Sequence, residues 1–108
     1  MKTVVLCYGL MITYPIDNLA AWLRAHHVPV VMEQSAPHAV YVGHSAGAGR
    51  CAMLAAANRG TLVAVDPVPP VGANYTVSAG ALGDDHLSVV NDPRTRALVL
   101  RLAHGGRR

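Results

Sequence analysis

Phenylalanine is missing from this sequence, and aromatic residues together make up only 5% of it. Alanine, valine and leucine must therefore fill the core, a composition suited to close-packed helices and sheet. Charge is scarce as well: charged residues make up 14% of the 108, against 52% hydrophobic. That balance excludes a disordered chain and predicts one globular domain with a large buried fraction. No basic run is interleaved with aromatics, so nucleic-acid binding has no support. The net charge of +3 includes three basic residues in the last eight positions, which read as a solvated C-terminal end. The longest N-terminal apolar run, Thr3 to Met11, is too short to span a membrane. It also lacks a signal peptide's long apolar region and cleavage pattern. No HExxH and no paired Cys/His spacing occurs, so neither a metal nor a cofactor is expected. The two cysteines, Cys7 and Cys51, are too few for a disulfide framework. Each sits in an apolar stretch and reads as a separate buried side chain. A reducing compartment, and so a cytoplasmic location, is the expectation.

What is present is an alternation of strand and helix signals. Residues 3–9, "TVVLCYG", form a β-branched run that predicts a strand buried on both faces. Pro15 suits a first helical position, and Ile16, Leu19, Ala20 and Leu23 recur at helical spacing, which predicts a helix over 15–26. Strands are predicted over 28–32, 39–43, 61–66 and 74–80, with a small-residue helix over 45–58 that can lie very close to a sheet. "PVPPVG" cannot be regular structure, because its prolines lack donors. "ALGDDH", 81–86, reads as a loop, and Asp92-Pro93 starts a last helix that Gly105 stops, over 93–104. The result is an α/β fold: a compact three-layer sandwich around a mostly parallel sheet of about five strands. Ligands of such sheets bind at the carboxyl ends of the strands. Gly9, Ser45, Asp66 and the loop bearing His86 should all lie there.

Between the third strand and its helix stands Gly43-His44-Ser45-Ala46-Gly47, which fits G-x-S-x-G in the context that gives the pattern meaning. A nucleophile elbow lifts its serine clear of the sheet, and the positions two before and two after must be nearly free of side chain. Gly43 and Gly47 meet that need. Alone, the pentapeptide is equally compatible with a small-residue turn before a buried helix. A serine hydroxyl needs a base, itself oriented by an acid. Asp66 ends the strand after the nucleophile helix, and His86 lies before the last helix. Ser45, Asp66, His86 is the chain order of the α/β-hydrolase triad. Taken singly, Asp66 is also a plausible turn aspartate and His86 a plausible loop histidine. Asp84 and Asp85 lie too near His86 in sequence to reach its far nitrogen, and Asp92 reads as a helix cap. The oxyanion hole should use the Ala46 N–H and a second donor near Leu10 or Met11, after the first strand. His44 should point away from the nucleophile, towards neighbouring structure. His26 and His27 suit a helix C-terminus, and His38 and His104 read as surface residues.

"VGHSAGAGRCAMLAAA", "LVAVDPVPPVGANY" and "GDDHLSVVNDPRTRALVLRL" together resemble small bacterial and phage α/β-hydrolase-fold, lipase-like proteins. "VVLCYGL" and "IDNLAAWLRAHHVPVVM" are similar to the strand, helix and strand that open that core. The resemblance covers nearly the whole chain. It implies a Ser45–His86–Asp66 triad acting on a small-molecule ester or thioester through an acyl-enzyme. The acid then follows the strand after the nucleophile, a placement that thioesterase-like members share. The chain departs from the family in its shortness: the first antiparallel strands, a helix before the nucleophile strand and a lid have no counterpart.

Two other readings compete. Gly47-x-Gly49-x-x-Ala52 loosely fits a dinucleotide fingerprint, with Asp66 as the ribose-binding acid, but the glycines come late after their strand and no second mononucleotide half follows. A P-loop is excluded, since no Gly-Lys-Ser/Thr occurs. The remaining reading is a hydrolase-fold chain without catalysis, acting as a binding or assembly protein. An outer strand left unpaired would favour a homodimer in either case.

Overall fold

A computed structural model describes residues 1–105 of the chain. Arg107 and Arg108, two of the basic residues expected at a solvated end, lie outside the described residues; Arg101 is exposed. Three central strands grow out of the β-branched runs: β1 (Val4–Cys7), β3 (Val40–His44) and β4 (Thr61–Val65). Every residue of β1 and β3 is buried, as strands covered on both faces must be. β2 (Val30–Met32) and β5 (Tyr75–Val77) are shorter and partly exposed. All five pair in parallel in the order β2-β1-β3-β4-β5. The chain runs from β1 out to β2 and then returns to β3 on β1's other side. The connections after β1 and β3 therefore diverge, which opens a crevice at their carboxyl ends.

Helices cover both faces, giving three layers. Along each strand successive side chains alternate between faces. Val4, Leu6, Val40, Val42, Val63 and Val65 face α1 (Tyr14–Ala25) and α4 (Pro93–Ala103). Val5, Cys7, Tyr41 and Leu62 face α2 (Gly47–Asn58). α1 buries the expected stripe, Ile16, Leu19, Ala20 and Leu23, and the His26 Nδ1 hydrogen-bonds the Trp22 carbonyl near its end at 2.8 Å. α4 begins where Asp92 accepts from the Arg94 N–H at 2.7 Å, as a capping aspartate should.

Three local features differ from expectation. The strand expected over 74–80 stops at Val77, and a short helix α3 (Ala79–Leu82) follows. Its cause is local: the Ser78 hydroxyl accepts from the Ala81 N–H, and Gly83 takes φ 76° to end the turn. A 3₁₀ turn at Ser88–Asn91 was likewise not expected; Asp85 caps it by accepting from the Leu87 and Ser88 N–H groups at 3.0 and 2.7 Å. Lastly, Cys7 and Cys51 are not separate thiols. They form a disulfide, Cα to Cα 6.0 Å, that ties the end of β1 to α2. The close seating of α2 brings the two Cβ atoms into bridging range. The expectation of a reducing compartment loses its premise there. Among the described residues no helix is long and apolar enough to cross a membrane.

Candidate active site

Ser45 follows directly on β3 and takes φ 55°, a left-handed conformation that a side-chain-bearing residue adopts only under constraint. The constraint is visible. Its N–H donates to the Val65 carbonyl at 3.0 Å, and its carbonyl accepts from the N–H groups of Ala48 (3.2 Å) and Val68 (3.3 Å). α2 also lies too close to β3 and to the end of β1 for side chains on either flank. A Cβ on Gly43 would stand 2.5 Å from the Ala48 Cα. One on Gly47 would stand 2.7 Å from the Cys7 carbonyl oxygen and closer still to that of Tyr8. The left-handed serine also explains why α2 starts at Gly47 rather than at residue 45. Its N-terminus lies under Ser45, with no acidic residue in its first turn to offset the partial positive charge.

Asp66 follows β4 in the same way that Ser45 follows β3, also left-handed, at φ 47°. Its Oδ1 accepts from the Ala79 N–H at 3.2 Å, and its Oδ2 pairs with the His86 Nδ1. That hydrogen bond from His86, helped by the Ala79 N–H and opposed by partial burial, holds the Asp66 carboxyl below the usual carboxylate range. Asp66 and His86, separated in sequence, are thus joined, and among the described residues the imidazole's other nitrogen has no hydrogen bond. Ser45 and His86 make no hydrogen bond to each other. The His86 side chain is 42% exposed and sits on the ring of His44, Ser45's neighbour, with ring centroids 4.8 Å apart. Hydrogen bonds of catalytic groups commonly tighten only when substrate is bound.

Donors for an oxyanion are at hand. The Ala46 N–H, at the cap position of α2, makes no hydrogen bond among the described residues. After β1, Gly9 approaches Ser45 closely: a Cβ there would lie 3.4 Å from the Ser45 Cβ. Leu10 and Met11 follow with side chains 72% and 98% exposed, and their N–H groups are unbonded among the described residues. Met11 sits at φ 65° inside a tight turn closed by the Ile12 N–H on the Leu10 carbonyl at 2.7 Å. A polar brace holds the base of this loop. The Tyr8 N–H donates to Glu33, Arg50 donates to the Tyr8 carbonyl at 2.5 Å, and Arg50 and Glu33 pair at 2.7 Å.

An open cleft of about 570 Å3 lies beside His86, between Tyr14 and Asn18 of α1 and residues 85–88 with Asn91. Tyr14 on its wall is exposed, and Ile12 and, beyond Asp66, Val68 are exposed elsewhere on the surface. The segment carrying His86 is fastened at both ends. Arg94 donates to the Leu82 carbonyl and to both oxygens of Asp92, and holds the Asp92 carboxyl low. The neighbouring Asp84 carboxyl is pushed up by its hydrogen bond with Asp92.

His44 is the residue that sequence reasoning undervalued. Strand alternation aims it at the face bearing Val40 and Val42, and there the neighbouring structure is His86 itself: its Nε2 lies 2.7 Å from the His86 carbonyl oxygen. The signal available was its place in the pentapeptide, one residue before the serine.

Gly47 and Gly49, the glycines of the possible dinucleotide fingerprint, lie within α2, and only Ser45 and Ala46 separate β3 from it. No glycine-rich loop is there to cradle a pyrophosphate. Among the described residues no group of His, Cys, Asp or Glu is arranged to hold a metal ion. No protein-family model, no curated protein and no solved structure matches this chain.

Proposed function

We propose that the chain is a serine hydrolase of the α/β-hydrolase kind, cleaving a carboxylic ester or thioester. The supporting observation is the joined Asp66–His86 pair beside a left-handed Ser45 on a turn that only glycines can flank. In this reading the Ser45 Oγ attacks the carbonyl carbon while the far nitrogen of His86 takes its proton. Asp66 holds the imidazole and stabilises its charged form. The oxyanion rests on the Ala46 N–H and a second N–H from Leu10 or Met11. Collapse of the tetrahedral intermediate breaks the carbon–oxygen or carbon–sulfur bond, and His86 returns the proton to the departing alkoxide or thiolate. Water, deprotonated by His86, then attacks the acyl carbon; the bond to the Ser45 Oγ breaks, His86 returns the proton to that oxygen, and the acid departs. The open cleft beside His86 suits a small acyl group or an exposed bond on a larger partner.

A fluorophosphonate probe tests the reading. Labelling of Ser45 that is lost in Ser45→Ala and in His86→Ala supports it; an unlabelled wild-type protein overturns it. The open Ser45–His86 contact favours a second reading, a binding or assembly protein on the same fold, for which no labelling is the expected result. Homodimerisation through an edge, β2 or β5, belongs to either reading and is tested by sedimentation. The cytoplasmic location proposed from the sequence is tested by alkylating thiols at cell lysis: free Cys7 and Cys51 support it, and the intact disulfide counts against it.

A further inference from the structure

His44 alone among the six histidines is buried, at 2% exposure. A carbonyl oxygen only accepts, so the Nε2 facing His86 must carry the hydrogen. In the neutral ring the Nδ1 is then a bare lone pair, and it is buried with no partner. A proton on Nδ1 would place an unpaired N–H and a charge in that site. Burial accordingly pushes the His44 pKa down, as does the adjacent His86 ring, while the His86 carbonyl and Asp66 pull the other way. The titratable groups facing it are His86 and Asp66. His44 is therefore a fixed, neutral N–H donor at neutral pH. It touches His86 twice, at the main-chain carbonyl and across the ring face, at 2.7 Å and with centroids 4.8 Å apart and planes 36° apart. The Asp66 carboxylate fixes one ring nitrogen of His86 but leaves the ring free to pivot about that bond. The His44 ring lies against that imidazole and its Nε2–H holds the main chain that carries it, which restrains the pivot.

We propose that His44 is a positioning residue for the hydrolase reaction, donating to the His86 carbonyl and bracing its ring so that the free nitrogen is presented to Ser45. The proposal rests on the hydrolase reading above. Two variants separate its parts: His44→Phe keeps a flat ring without a donor, and His44→Gln keeps an N–H donor. The readouts are the pH dependence of fluorophosphonate labelling at Ser45 and the imidazole ¹⁵N titration of His86 by NMR. His44→Phe is expected to slow labelling about tenfold, the scale of losing an orienting partner, and to move the labelling midpoint and the His86 titration together. His44→Gln should recover most of the rate. Labelling in His44→Phe at the wild-type rate and midpoint overturns the proposal, as does a Gln variant no faster than Phe. Should His44→Phe not fold, the Gln variant carries the test: near-wild-type labelling with an unmoved His86 titration supports the donor role, and tenfold-slowed labelling overturns it. If wild-type Ser45 never reacts, the hydrolase reading has failed, and the proposal, which rests on it, falls too. The His86 titration then decides only whether the two rings are coupled: displaced in His44→Phe if they are, unchanged if they are not.

Discussion

The closeness of α2 to β1 and β3 can be measured by adding one methyl group at two places on the same helix. At Gly47 an added Cβ would meet the Cys7 carbonyl oxygen about 0.7 Å inside ordinary contact distance, with the Tyr8 carbonyl nearer still. Both obstacles are main chain, one in the last residue of β1, a strand paired on either side by β2 and β3, the other in the residue after it, and the Cys7–Cys51 disulfide keeps α2 from backing away. Overpacking costs about 1–3 kcal/mol where neighbours can yield, so Gly47→Ala should cost about 3 kcal/mol. At Gly49, two residues further along α2, nothing lies within 4 Å of an added Cβ. There alanine gains only the helix preference, so Gly49→Ala should stabilise by about 0.5 kcal/mol, the lower end of the usual Gly-to-Ala difference. For a domain of this size the two correspond to a melting temperature lowered by roughly 15 °C and raised by roughly 3 °C. Thermal unfolding followed by far-UV circular dichroism reads both. Fluorophosphonate labelling of Ser45 should fall in Gly47→Ala and stay unchanged in Gly49→Ala. A Gly47→Ala protein as stable as wild type would refute the close approach, and with it the elbow geometry.

Opening the Cys7–Cys51 bridge frees a loop of 44 residues in the unfolded chain, so the Cys7→Ser/Cys51→Ser double variant should lose about 3–4 kcal/mol in urea denaturation. Acid should weaken the fold in two stages. Burial lowers the His44 pKa, so the unfolded chain takes up that proton first, and stability declines as pH falls below about 6.5. The depressed Asp66 carboxyl adds stability that is full above pH about 4 and is lost as pH falls through its folded value. Urea midpoints between neutral and acid pH should show the upper stage vanish in His44→Phe and the lower shrink in Asp66→Asn, the remainder coming from Asp92, which Arg94 holds low. Arg50→Met should cost under about 1 kcal/mol, because its pair with Glu33 is exposed, yet it should slow Ser45 labelling by loosening Tyr8 and the donor loop behind it.

The central strands were legible because their runs of Val, Leu and Ala leave no other buried arrangement, and the observed ends fall within two residues of those expected. The elbow was legible because Gly43 and Gly47 flank Ser45 at the one spacing that lets β3 and α2 meet. α3 was hidden by its size: four residues, Ala79–Leu82, show no periodicity, and only Ser78 and Gly83 betray it. The disulfide was hidden because Cys7 and Cys51 lie on different elements, and their distance depends on how deeply α2 is seated. The partner of His44 was hidden for a related reason: its place beside the serine and strand alternation give the face on which its side chain emerges but not what a distant loop will lay against it.

The turns after β3 and β4 share their main-chain hydrogen bonds. Ser45 is bonded to Val65 and Val68, on either side of Asp66, while the Asp66 N–H is bonded to Val77. Hydroxyl and carboxylate are consequently mounted on a single rigid rim, and neither can shift without breaking the sheet's own ladder. The imidazole arrives instead on the span from Leu82 to Asp92, pinned at both of those residues by one arginine. Whatever tunes the reach between histidine and serine, be it substrate, proton or partner, must do so by bending that span.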